Sequence, residues 1–139
     1  MTIAADLVHR HFRTLVDDPP HWQTLIVDDL VWELPYAPAI GQPARLSGRE
    51  EVSRHLAWFL GAVERLRFFD LAVYPSADPD MAVAEVKAEA HIKTTGRVYR
   101  QEYILFLRAA GGKIAFLREY FDPTRVAKAF DTPILGLTC

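Results

Sequence analysis

Cysteine is almost absent from this chain. The one example, Cys139, is the last of 139 residues. No internal disulfide can form, and the expected setting is a reducing cytoplasm. Positive charge is not in excess either: 16 Lys and Arg stand against 18 Asp and Glu, a net charge of −2. Binding to phosphate backbones needs clustered cations, so nucleic acid is not an expected partner. No run of about 18 apolar residues occurs, which argues against a membrane span. The N-terminal MTIAADLVHRHF carries Asp, His and Arg where a signal peptide needs an unbroken apolar segment. Glycine is sparse, and Gly111–Gly112 reads as a turn, not a phosphate-cradling loop. No Cys/His spacing fits a zinc site, and neither a metal nor a cofactor is expected. Internal repeats and low-complexity tracts are missing as well.

What remains is a globular composition, half apolar and a quarter charged, in a length that suits a single domain over 1–139 with a real core. Ile3 to Val16 reads as an amphipathic helix with Ile3, Leu7, Val8, Phe12, Leu15 and Val16 on one stripe. Asp17–Asp18 and Pro19–Pro20 stop it and open a second, short helix with Trp22, Leu25 and Ile26, ending near Asp28–Asp29. Leu30 to Tyr36 reads as a strand closed by Pro35, and Ala37 to Leu46 as a loop. Ser47 and Glu50 have capping-box spacing at the start of a third helix, with Val52, Leu56, Phe59, Leu60 and Val63 on its apolar side. Four strands follow, near 66–74, 81–93, 98–108 and 113–121, and then a short helical turn at 126–130. The expected fold class is α+β: a strongly curved, mostly antiparallel sheet wrapped around three helices from the N-terminal half, a cone with a central pocket at its open end.

The last strand carries the chemical signal. In GKIAFLREYFDP, strict alternation places Ala115, Leu117, Glu119 and Phe121 on one face and Ile114, Phe116, Arg118 and Tyr120 on the other. Glu119 is then a lone carboxylate in an apolar row, costly unless paired, protonated or used. Desolvation would raise its pKa and make it a usable acid or base. His55 lies at the edge of the third helix's apolar stripe and suits the complementary proton role. Tyr103 shares a strand face with Gln101, Tyr99, Leu105 and Leu107. It is expected to donate to a substrate oxygen, with Gln101 orienting that substrate. Phe12, Trp32, Leu34, Trp58, Phe59, Tyr99, Leu117 and Phe121 are the expected pocket wall, an aromatic lining suited to a flat, apolar small-molecule ligand. Glu33, Glu85, Lys87, Glu89, His91 and Lys93 read as a solvated sheet face, and Asp122 as a cap on the last helical turn. His9, His11 and His21 receive no role.

Ile104, Phe106, Ile114, Phe116 and Tyr120, with Arg100, Arg108 and Arg118 among them, fall on the sheet face away from the helices. An apolar patch rimmed by charge is rarely left in water, and a homodimer through this face is expected.

The segments DDLVWELPY (28–36), SGREEVSRHLAWF (47–59), TGRVYRQEYI (95–104) and GKIAFLREYFDP (112–123) resemble the SnoaL-like branch of the nuclear transport factor two-like superfamily. That branch includes ketosteroid isomerase, polyketide cyclases and the phenazine-biosynthesis isomerases, and the resemblance implies the cystatin-like cone. Ketosteroid isomerase has an aspartate base where Leu34 stands and a tyrosine donor where Phe12 stands. Its second, acidic donor falls at or beside Tyr103. These departures argue against steroid isomerisation by the same groups. The phenazine-biosynthesis proteins are similar in the REYFDP ending. Their functional glutamate matches Glu119 and their functional histidine matches His55, while Phe59 replaces a hydroxyl residue. The resemblance implies a small-molecule enzyme of the isomerase, cyclase, dehydratase or condensation type, working by general acid–base chemistry without a cofactor. The competing reading is a non-catalytic module of the same fold that binds a hydrophobic ligand or only dimerises.

Overall fold

The computed structural model of the chain describes residues 1–135; Cys139, on which the compartment expectation rests, lies outside them. Helix α1 (Ile3–Thr14) is capped by the Thr2 side chain, which accepts from the Ala5 N–H. Helix α2 (Pro19–Leu25) starts from Asp18 with prolines in its first turn, positions where a missing N–H costs nothing. Strand β1 (Ile26–Glu33) leads to a 3-10 turn at Ala37–Ile40 and a short strand β2 (Arg45–Ser47). Helix α3 (Arg49–Ala62) is followed by β3 (Val63–Pro75), β4 (Met81–Ile92), β5 (Val98–Ala110), β6 (Lys113–Tyr120) and helix α4 (Pro123–Phe130). The six strands form one sheet in the order β2-β1-β6-β5-β4-β3. Every neighbouring pair is antiparallel except β1 with β6. The α+β cone is therefore present. No helix of the described residues is long and apolar enough to cross a membrane.

The curl of the cone has a local cause in β3. Its pairing with β4 slips between Glu64 and Arg67 and again between Phe69 and Ala72. At each slip one residue takes a left-handed conformation, Arg65 at φ 56° and Asp70 at φ 54°. Each extra residue bends the strand and adds twist. The concave side of β4 is a row of small residues, Ala82, Ala84, Ala88 and Ala90, all fully buried. Small side chains there let α1 seat closely against the sheet. Glu85 and Lys87 alternate with them on the solvated face, as expected.

Several boundaries and faces differ from the sequence expectation. Strand β1 begins at Ile26, so Asp28 and Asp29 are in a strand and not at a helix end. They fall where the β1–β6 register slips, an irregular stretch in which their side chains reach solvent. The cap of α3 is Gly48 at φ 88°, with no side-chain cap. A Cβ in that conformation is strained. The reciprocal bond runs from the Ser47 N–H to Glu51, not Glu50. Val63 belongs to β3, and on α3 only Val52 is fully buried. Ile3 faces outward, half exposed.

The largest correction concerns Ile114, which is fully buried. The β5–β6 pairing runs Arg108 with Phe116 and then Ala109 with Ile114, so Ala115 is an extra residue. One bulged residue reverses alternation. Ile114 therefore joins Leu117 and Glu119 on the inner face and leaves the proposed dimer patch. Ile104, Phe106, Phe116 and Tyr120 remain outside. Ile104 is 43% exposed, and Tyr120 packs edge-on against both Phe106 and Tyr36.

Candidate functional site

The hollow of the cone is roofed by α3, closed at one end by α4 and the loop after β1, and floored by β3, β5 and β6. About 100 Å³ of it is open to the centre of a water-sized sphere, room for several waters. Helix α3 is half-buried because it packs over this space and not over solid core. His55, Leu56, Trp58, Phe59 and Leu60 all face it. From the floor come Leu66, Phe68, Tyr99, Tyr103 and Glu119. Trp32, Leu34 and Phe121 add to the wall.

Glu119 thus enters the hollow from β6, directly opposite Leu105 on β5. Burial alone pushes its carboxyl up from the usual range to about 8. Its residual accessible surface borders the hollow, a small, mostly apolar space that solvates a charge poorly. At neutral pH the carboxyl keeps its proton. His55 is half-buried, and burial lowers its pKa, so the imidazole is neutral at the same pH. The two groups line one cavity in complementary states, a proton donor and a proton acceptor.

Tyr103 and Tyr99 form the second polar feature. Their hydroxyls are 2.9 Å apart. Burial raises Tyr99 to about 12 and Tyr103 well above the usual phenol value, so both are neutral donors. Gln101, expected to touch a ligand, does not line the hollow. Its amide donates to the Tyr99 hydroxyl at 3.1 Å and to the Asp122 carbonyl at 2.9 Å. Its oxygen accepts from the N–H groups of Asp122 and Glu102. The amide is fully committed within the protein. Asp122 in turn caps α4 through the Thr124 N–H, as the sequence predicts.

Phe12 and Leu117 also stand apart from the hollow. Leu117 is sealed in the core, in register between Trp32 on β1 and Leu107 on β5. Phe12 sits behind Phe68 in edge contact, 5.0 Å between ring centres. Trp58 is at the mouth, 49% exposed, between His55 and a stacked Phe130. Sequence reasoning missed Leu66, Phe68 and Phe130. The bulges in β3 break the period that would have shown the first two, and Phe130 points inward only through the packing of α4. Nothing among the described residues groups three or more His, Cys, Asp or Glu side chains as a metal would need.

Fold and hollow together define a cone-shaped α+β domain with a central cavity. The SnoaL-like domain profile matches residues 8–117, and the chain belongs to that family. It is 34% identical over 112 residues to an uncharacterised PhzA/B-like protein of Pseudomonas aeruginosa, spanning 81% of this chain and 78% of the relative. An isomerase candidate of known structure from Bacillus subtilis superposes with a TM-score of 0.85 at 30% identity, over 96% of each chain. A polyketide cyclase candidate from Pseudomonas putida shares the fold, with a TM-score of 0.74 at 22% identity over 93% of this chain and 98% of that one.

Proposed function

We propose that this protein moves protons on a small, flat, cyclic or aromatic metabolite, using its own side chains. The observation that carries the reading is Glu119: a carboxyl with no cation beside it among the described residues, held protonated at the edge of an aromatic hollow. Glu119 acts as general acid, neutral His55 receives or returns the proton, and Tyr103 stabilises charge developing on a substrate oxygen. The apolar wall keeps water out and strengthens each of these interactions. The reaction class is isomerisation, cyclisation, dehydration or acid-assisted condensation. The family relationship and the isomerase and cyclase neighbours support that class.

The test is proton exchange. Flat cyclic ketones incubated with the protein in D2O should exchange the hydrogen next to the carbonyl faster than in buffer, as read by proton NMR, and Glu119→Gln should abolish the acceleration. Exchange at the buffer rate throughout, together with a Glu119 carboxyl that titrates near 4.5, would sink the reading and leave a binding module.

We infer further that the outer sheet face pairs with a second copy of the chain. The support is an outer-face patch in which Tyr36 and Ile104 are exposed and Phe106, Phe116 and Tyr120 are partly exposed, edged by the Arg118–Glu33 ion pair at 2.9 Å. Light scattering at micromolar concentration should give twice the chain mass, and Ile104→Asp should halve it. A monomer in the parent protein would end that inference.

A further inference from the structure

We propose that Gln101 is a positioning residue: it sets the direction of the hydrogen bond between Tyr99 and Tyr103, so that the Tyr103 hydrogen faces the hollow and the ligand is received through an acceptor oxygen. The proposal rests on the reading of the hollow as a receptor for flat rings.

The argument starts at a backbone. The Asp122 N–H can only donate and the Asp122 carbonyl can only accept. The first lies 3.0 Å from Gln101 Oε1 and the second 2.9 Å from Gln101 Nε2. These two contacts orient the amide without ambiguity. The Glu102 N–H, at 3.1 Å from Oε1, agrees. One hydrogen of Nε2 belongs to Asp122, and the other points at the Tyr99 hydroxyl oxygen, 3.1 Å away.

Tyr99 is therefore an acceptor, and a hydroxyl that accepts a hydrogen bond becomes a better donor. The Tyr103 oxygen at 2.9 Å is the acceptor within its reach among the described residues. The chain then runs from Gln101 to Tyr99 to Tyr103. The opposite order would crowd two hydrogens onto the Tyr99 oxygen and forgo the strengthening gained when one hydroxyl both accepts and donates. In the favoured order the hydrogen left over is that of Tyr103, a residue lining the same hollow as Glu119. Among the described residues no Lys or Arg lines the hollow. Two O–H donors and no cation fit an uncharged ring bearing a carbonyl oxygen. They do not fit a carboxylate, which would lack a countercharge. Gln101 itself touches no ligand; it acts through the tyrosines.

The test uses two probes of nearly the same shape, 2-acetylnaphthalene, which has an acceptor oxygen, and 2-ethylnaphthalene, which has none. The parent protein should bind the first about tenfold more tightly, as expected for hydrogen bonds made in a dry site. In Gln101→Glu the side chain has at most one hydrogen, which the Asp122 carbonyl takes. Tyr99 then donates to the new carboxyl, Tyr103 donates to Tyr99, and the preference should fall about fivefold with 2-ethylnaphthalene affinity unchanged. Gln101→Met, which removes the donor without adding a charge, should move the ratio the same way. The carbonyl stretch of bound 13C-labelled 2-acetylnaphthalene should lie below its value in hexane in the parent protein and shift back in the variants. A merely structural glutamine would alter both probes alike. If both probes bind and the parent shows neither a preference nor a lowered stretch, the proposal is overturned. It is also overturned if the preference survives in both variants, and in either case the reading of the hollow stands. If neither probe binds the parent, that reading fails and takes this role with it.

Discussion

Two buried titratable groups, His11 and Glu119, lie on different sides of the same wall, and their contrast separates packing from function. His11 on α1 is completely buried, and burial lowers its pKa to about 3. Its Nδ1 accepts from the Trp22 indole at 2.9 Å. Phe12, Trp22 and Trp32 pack around the ring with centres 4.7, 6.0 and 5.8 Å away. Its Nε2 has no partner among the described residues, and His11 does not line the hollow that Glu119 borders. Glu119 is shifted by the same cause in the opposite direction, because burial disfavours whichever form is charged. What distinguishes Glu119 is a hollow in front of its carboxyl. Desolvation marks both residues, and only accessible space marks one of them as a site.

The sharpest break of this contrast is Glu119→Gln. On any substrate the protein turns over, loss of a general acid should slow the reaction about a hundredfold or more while circular dichroism stays native. Unchanged turnover would put Glu119 in the same class as His11. His11→Leu is the mirror experiment. It should cost about 2–3 kcal/mol in urea unfolding, since the Trp22 N–H is left without an acceptor, and it should leave the Glu119 titration near 8.

The pH dependence of stability tests both groups in one measurement. A carboxyl raised from 4.5 to about 8 on folding makes the folded state bind more protons than the unfolded one in that interval. Stability should fall as pH rises from 4.5 to 8. Histidine lowered from 6.5 to about 3 does the reverse: stability should be lost as pH falls through that interval. Melting temperature should therefore peak in mildly acidic buffer. Glu119→Gln should flatten the alkaline limb, and His11→Leu the acid one. A limb that keeps its slope would assign it to other groups.

The smallest effect concerns the curl that makes the hollow. Arg65 holds a left-handed conformation that costs a residue with a Cβ about 1 kcal/mol or more. Arg65→Gly should stabilise the fold by about that amount without moving the Glu119 titration. Destabilisation would show that the arginine stem contributes packing that outweighs the backbone cost.

Much of this was legible in the linear chain. Alternation in β4 and β5 assigned the faces of Ala82 through Ile92 and Tyr99 through Leu107, because a strand buried on one face must alternate. The same rule put Glu119 inside. It failed at Ile114, since the bulge at Ala115 is a pairing event with no mark of its own among apolar neighbours. It gave no reading for Leu66 and Phe68, in a strand, β3, whose pairing slips twice. Helix α1 showed its stripe, yet His11 received no role because an imidazole is as common outside as inside. Gln101 was noticed for the right face and given the wrong contact. Its partner Asp122, twenty-one residues away, meets it only after β5 and β6 pair.

Composition and periodicity by themselves determined the class of fold, the order of its elements and the inward carboxyl, because those follow from local geometry and the need to bury apolar surface. Tertiary structure decided which inward groups face empty space and which face other side chains. That distinction depends on where bulges bend the sheet and how far α3 stands off it. Both are set by contacts between residues distant in the chain, and no local pattern encodes them.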